Sequence, residues 1–176
     1  MAIYFTSDQH FWHTNILKYE SRPFRSVKEM NAIITRNYNS IVKGGDTVYF
    51  LGDIASWYEV SKDMLEKKIR SLKGRKVLIL GNHDNLKPFD YVDMGFESVH
   101  TSLKLEVNGY DITLIHDPAV AGVLKKKLFI CGHVHHLFRN IENVVNVGVD
   151  VWDYSPVSAE VVFPLLFGQK QIDGEW

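Results

Sequence analysis

The stretch Lys76-Val77-Leu78-Ile79-Leu80-Gly81-Asn82-His83-Asp84 constrains this chain more than any other. Its apolar run is too short for an ordinary helix and reads as a buried strand. Gly81 lets the backbone turn where the strand stops, and three polar side chains able to bind a metal or move a proton follow at once. In open α/β sheets ligands bind at the carboxyl ends of strands. The pattern recurs four times: residues 2–5 lead to Asp8 and His10, 48–52 to Asp53, 112–115 to His116, and 128–132 to His133 and His135. Five strand ends carrying Asp, His or Asn read as one site.

The 176 residues suffice for one domain spanning 1–176, and 45% hydrophobic with 23% charged residues is globular composition. A net charge of -1 provides no basic field, which argues against a nuclease of long duplexes. Cys131 is the only cysteine, so no internal disulfide forms, and its apolar surroundings place it in the core. No apolar run reaches membrane-spanning length, so no membrane partner is expected. The chain opens on a strand with no cleavable signal pattern, which makes a cytoplasmic location the expectation.

Ser26-Val27-Lys28-Glu29 has the form of a capping box, and Val27, Met30, Ile33, Ile34, Ile41 and Val42 behind it recur at helical spacing until Gly44-Gly45. Ser61 caps a second helix carrying Met64, Leu65, Ile69 and Leu72. Residues 85–91, with Pro88, read as a loop or short helix. Asn108-Gly109 between two alternating runs signals a tight hairpin. Residues 144–148 and 159–163 read as the last two strands. Lys125-Lys126-Lys127 reads as a solvated turn, and the tail from Gly168 as loosely held.

Asp8 and His10 are two apart, so in an extended segment both face one side; the same holds for His133 and His135. His136 then points away and, like His100, reads as a bystander. Asp8, His10, Asp53, Asn82, His116, His133 and His135 combine carboxylate, imidazole and amide oxygen, a donor set that suits Mn²⁺, Fe, Zn²⁺ or Ni²⁺, with Mn²⁺ favoured. Seven donors are too many for one catalytic metal. With Asp53 shared they divide into two sets of four, as two ions about 3.5–4 Å apart would require. Two dications outweigh Asp8, Asp53 and a bridging hydroxide, so the site stays positive and attracts an anion such as phosphate. His83 falls outside this set and is placed to protonate a leaving oxygen. Asp84 either orients His83 or caps the next turn. Arg22, before Pro23-Phe24, offers a planar fork for a phosphate. His13 and Asn15, in the stretch 11–17, are further candidate substrate contacts.

These motifs resemble the series of the calcineurin-like metallophosphoesterase superfamily: Asp8-Gln9-His10, Gly52-Asp53, Gly81-Asn82-His83-Asp84, the lone His116, and Gly132-His133-Val134-His135. The resemblance implies an α/β fold of two mixed β-sheets packed face to face with flanking helices. It also implies two divalent metals, one held by Asp8, His10, Asp53 and His135 and the other by Asp53, Asn82, His116 and His133, with His83 as general acid. Residues 8–16, Arg22-Pro23-Phe24, 146–152 and Pro156-Val157-Ser158 are similar to small bacterial and phage phosphoesterases of this superfamily. Those proteins often carry glycine at the position of Trp12 and phenylalanine at that of Ile54, departures that touch the pocket rim more than the metals.

The resulting expectation is hydrolysis of phosphate esters, diesters above all, by attack of a metal-bridging hydroxide. The substrate is a small phosphate ester, with a nucleotide, a cyclic nucleotide or a nucleic-acid end as candidates. A phosphomonoesterase is the alternative, although Asn85 stands where serine/threonine phosphatases of the superfamily carry arginine. A scaffold without catalysis is a third reading; such scaffolds lose ligands or the acid, and here all seven and His83 are intact. The sequence leaves the oligomeric state open.

Overall fold

Ile3–Thr6 (β1), Thr47–Phe50 (β2) and Arg75–Ile79 (β3) pair in parallel, as their unbroken apolar runs predict. The computed structural model describes residues 1–56, 58–120 and 127–168. Ser98–His100 (β4) continues the sheet in parallel beside β3. The second sheet contains Ser102–Val107 (β5), Tyr110–Ile115 (β6), Leu128–Cys131 (β7), Asn140–Ile141 (β8) and Val144–Asn146 (β9) in the order β5-β6-β7-β9-β8. Val157–Ser158 (β10) returns to the first sheet, antiparallel to β1, and gives the order β10-β1-β2-β3-β4. Both sheets are five-stranded and mixed.

The alternation of side chains along the strands builds two cores. Val48, Phe50 and Leu78 face one way and pack with Met30, Ile34, Tyr38, Leu65 and Ile69. Leu51, Val77 and Ile79 face the other way and meet Ile112, Leu114, Ile130 and Val145 of the second sheet. Strands buried on both faces have no room for alternating polar residues. Leu78 is wholly buried, and truncating it to alanine would cost about 2–5 kcal/mol.

The helices are Ile16–Tyr19 (α1), Val27–Ile41 (α2), Lys62–Ser71 (α3), Pro88–Met94 (α4) and Ala159–Phe167 (α5). Ser26 accepts the Glu29 N–H at 3.2 Å and Ser61 the Met64 N–H at 3.3 Å, so both serines cap their helices, but Glu29 returns to the Arg25 N–H at 2.8 Å and the expected box at Ser26 is only half made. Asn108 and Gly109 take φ of 51° and 77°, which closes the β5–β6 hairpin. Residues 159–163, expected as a strand, instead begin α5. Val162 and Leu166 are its buried residues, four apart, and Pro164 could not have donated to a sheet. Lys125 and Lys126 of the basic run, and the tail beyond Gly168, lie outside the described residues. Among the described residues no helix is long and apolar enough to cross a membrane.

Candidate metal centre

The loops that leave β1 and β2 run side by side beyond the strands. The Asp8 N–H donates to the Gly52 carbonyl and the His10 N–H to the Asp53 carbonyl, both at 3.0 Å. The segment is not extended, as the spacing of Asp8 and His10 suggested. Asp8, His10 and Trp12 take φ of 59°, 48° and 64°, and Asp53, His133 and His135 take 55°, 69° and 45°. Non-glycine residues in this region cost of order 1–3 kcal/mol each and persist only where their surroundings hold them. Here the surroundings do. Gly132 lies so close to β1 that a Cβ would meet Ser7 Oγ at 2.0 Å, and one on Gly81 would meet Asp53 Oδ1 at 2.2 Å.

The strand ends converge as the sequence reading expects. Donor atoms of Asp8, His10 and His135 form one group, those of Asp53, His116 and His133 another, and Asp53 also groups with His10 and His83. Asp53 Oδ2 lies 3.5 Å from His10 Nε2 and 3.4 Å from His116 Nε2, so one carboxylate oxygen stands between the two halves. Asn82 Oδ1 is 3.0 Å from both His116 Nε2 and His133 Nδ1. Asp8 accepts the His133 backbone N–H on both oxygens, at 3.1 and 3.0 Å, which ties the two sheets together at the site. His133 and His135 do not serve one point: their left-handed backbone sends one ring to each half.

Burial sets the charge states. It holds His10 well below the usual histidine range, against the pull of Asp53, so the ring is neutral. It pushes Asp8 upward, against His116 and His135. Burial would raise Asp53 too, but the hydrogen bond and charge of His116, helped by the hydrogen bond from the His83 N–H, outweigh it and bring the carboxyl to about 2. Burial opposes the charge on His116, yet Asp53 and Asp8 raise that ring to about 9. Of these four buried side chains, Asp53 and His116 compensate each other as an ion pair.

The remaining expected residues have varied surroundings. His83 is part-exposed; its N–H donates to Asp53 Oδ1 at 2.8 Å and its ring meets His10 edge-on at 5.1 Å. Asp84 is buried and accepts the N–H groups of Asp53 at 2.8 Å, Ile54 at 3.1 Å and Gly81 at 2.9 Å. It fastens the Asp53 loop to its own turn, which is neither of the two roles expected for it. Burial lifts its carboxyl to about 6 against those hydrogen bonds. His13 is half-buried, its Nδ1 3.3 Å from His10 Nδ1. Asn15 is exposed at the N-terminus of α1, with no side-chain capping bond.

Arg22 requires a correction. It does not offer its fork to a phosphate: only 4% exposed, it grips Asp150 at 2.7 and 2.8 Å and donates to the Asp8 carbonyl at 2.7 Å and the Gln9 carbonyl at 3.1 Å. Asp150 in turn takes His135 Nδ1 at 2.8 Å. This residue had no assigned role in the sequence reading, although an acid shortly after β9 repeats the strand-end pattern. His136, expected to point away, is exposed and pairs with Glu20 at 2.7 Å.

The residues fit a bound metal. His10 Nε2 is buried, faces Asp53 and has no hydrogen-bond partner among the described residues. A buried ring nitrogen left unsatisfied is costly, and a cation between it and Asp53 would satisfy it. Imidazole, carboxylate and amide oxygen together form a borderline donor set suited to divalent transition ions.

Comparison with known proteins agrees with this geometry. The model of the calcineurin-like phosphoesterase superfamily domain matches residues 1–155. The uncharacterized protein MJ1445 of Methanocaldococcus jannaschii is 35% identical over 176 residues, covering 93% of this chain and 90% of that protein. The gene 66 protein of Mycobacterium phage L5 is 31% identical over 180 residues, covering 85% and 86%. The crystal structure of a protein of unknown function, AQ665 from Aquifex aeolicus, superposes with a TM-score of 0.75 at 27% identity and covers 93% of this chain and 98% of its own. With its strand ends converging on a His/Asp cluster able to bind metal, and a family match over most of its length, the chain belongs to the calcineurin-like phosphoesterase superfamily.

Proposed function

We propose that this phosphoesterase hydrolyses phosphodiesters with two divalent ions, Mn²⁺ by preference. Asp8, His10, Asp53 and His135 would hold one ion, and Asp53, Asn82, His116 and His133 the other. The observation that carries the reading is the position of Asp53, whose Oδ2 stands within 3.5 Å of a ring nitrogen from each half. When bound, two such ions supply Lewis acidity and a nucleophile usable at neutral pH.

The protein's own groups supply the rest. His83 is anchored through its backbone to Asp53, while its side chain is 41% exposed. A ring in that position can reach the leaving oxygen and donate a proton to it, worth typically ~10²–10⁴-fold. His10 would hold a metal through Nε2 as a neutral ring, and its Nδ1–H would then donate to His13 Nδ1, 3.3 Å away. His13, half-buried beside His10 and His83, would then keep its Nε2–H to donate to a substrate oxygen. Asn15, exposed on the same loop, is the other candidate contact. Arg22, committed to Asp150, is not among these contacts.

The test compares bis(p-nitrophenyl) phosphate with p-nitrophenyl phosphate in Mn²⁺, for wild type and His83→Ala. Faster cleavage of the diester, with most of that rate lost in the variant, is the expected result. Preference for the monoester would replace the reading by a phosphomonoesterase. Metal binding without cleavage of either would point to a scaffold.

A further inference from the structure

The two halves of the site face different surroundings. His83 lies in the His10 half, where its ring packs against His10 and His13 at 5.1 and 5.8 Å. A leaving group protonated by His83 departs on that side. In the other half, Asn82, His116 and His133 share with Leu80, Thr101, Ile115 and Asp117 the lining of a recess of about 260 Å³.

We propose that this recess receives the alcohol that stays bonded to phosphorus, and that this alcohol is a polyhydroxylated group of about pentose size. The assignment rests on the diesterase reading above. In that hydrolysis water oxygen bonds to phosphorus, the P–O bond to the leaving alcohol breaks, and one proton ends on that alcohol. The other ester bond survives and its group stays behind.

Three observations identify the class of that group. The first is size: sites for drug-sized ligands run from about 300 to 1,000 Å³, and this recess has about 260 Å³, part of it against Asn82, His116 and His133 where metal and phosphate would sit, so what remains takes a smaller body. The second is the wall chemistry. Leu80 and Ile115 offer aliphatic surface to the C–H face of a sugar, and Thr101 a hydroxyl that both donates and accepts. Asp117 offers a carboxylate, the group that accepts ribose hydroxyls in dinucleotide folds. The third is preorganisation: Asp117 Oδ1 already accepts the Ala119 N–H at 2.8 Å, which fixes the side chain and leaves it acceptor capacity for a hydroxyl. A second phosphate in the recess would meet the charge of Asp117, so the retained group is a neutral polyol.

The experiment titrates the Mn²⁺-loaded protein calorimetrically with ribose 5-phosphate and with methyl phosphate. The two carry the same charged head and differ only in the group the recess would hold. Wild type is expected to bind ribose 5-phosphate about tenfold more tightly, the worth of one or two added hydrogen bonds. Thr101→Trp, which fills the recess from its exposed wall, should bring the ratio near one, and Asp117→Asn should lower it. Equal binding of both probes by wild type would overturn the recess and leave the diesterase reading intact. Absence of diester cleavage would overturn that reading, and this assignment with it.

Discussion

His135 Nδ1 lies 2.8 Å from Asp150 Oδ2, and the same carboxylate is clasped by Arg22. Arg22 therefore bears on the cluster through Asp150 and the Asp8 carbonyl. It holds Asp150, which fixes the ring orientation of His135, a residue grouped with Asp8 and His10 as able to hold a metal. Carboxylates behind metal-binding histidines typically contribute 10–100-fold to affinity. Asp150→Asn should weaken metal binding by about that factor in a fluorimetric titration. Arg22→Met should act on the fold instead: it strands a buried carboxylate, and urea unfolding should register a loss of about 3–5 kcal/mol. An Arg22→Met protein of unchanged stability but reduced phosphate affinity would restore the substrate-clamp reading.

Metal uptake should release a proton. Without metal, His116 is raised to about 9 by Asp53 and Asp8 against its burial, so it is protonated at neutral pH. A metal on its Nε2 must displace that proton. The apparent affinity should then climb about tenfold per pH unit on approaching 9 and flatten above it. Calorimetry in two buffers of different ionisation enthalpy counts the proton directly. A pH-independent affinity between 7 and 9 would mean that His116 is already neutral.

Two glycines should behave in opposite ways. An alanine at Gly81 would put Cβ 2.2 Å from Asp53 Oδ1 and 2.6 Å from the Asp53 nitrogen, so the shared carboxylate must move. Gly81→Ala should cost about 1–3 kcal/mol and abolish tight metal binding. At Gly44 an added methyl would meet nothing within 4 Å, so alanine should be tolerated within about 1 kcal/mol. Thermal melts with and without Mn²⁺ distinguish the two.

Cys131 should be silent towards thiol reagents in the folded protein. It is fully buried, and burial pushes its thiol well above the usual range. Only the thiolate reacts. Labelling by a chromogenic disulfide should therefore track unfolding in denaturant, and rapid labelling of the native protein would contradict this burial.

The strand ends were legible because a short apolar run closing on a glycine and a polar cluster carries both the element and the chemistry. Residues 76–84 show this most clearly: β3 ends at Ile79, and Asn82, His83 and Asp84 all lie at the site or fasten it. Arg22 could not be placed in the same way. Its partner Asp150 is 128 residues away, and nothing local distinguishes a buried arginine from a surface one. The backbone of the first loop was hidden too, since spacing gives a direction only after a conformation is assumed. Residues 159–163 misled because a short run of valine and phenylalanine suits a strand and a buried helix equally. The edge strands β8 and β10, two residues each, are too short for any periodicity.

The left-handed residues at Asp8, His10, Asp53, His133 and His135 have a consequence for the protein's mutability. Glycine would sit more comfortably at each of these positions. Selection for thermal robustness alone would then replace these residues before it touched the core. Variants enriched by heat challenge without a demand for activity should collect changes along these loops and keep the two sheets as they are. Their rising melting temperatures would record the loss of the site.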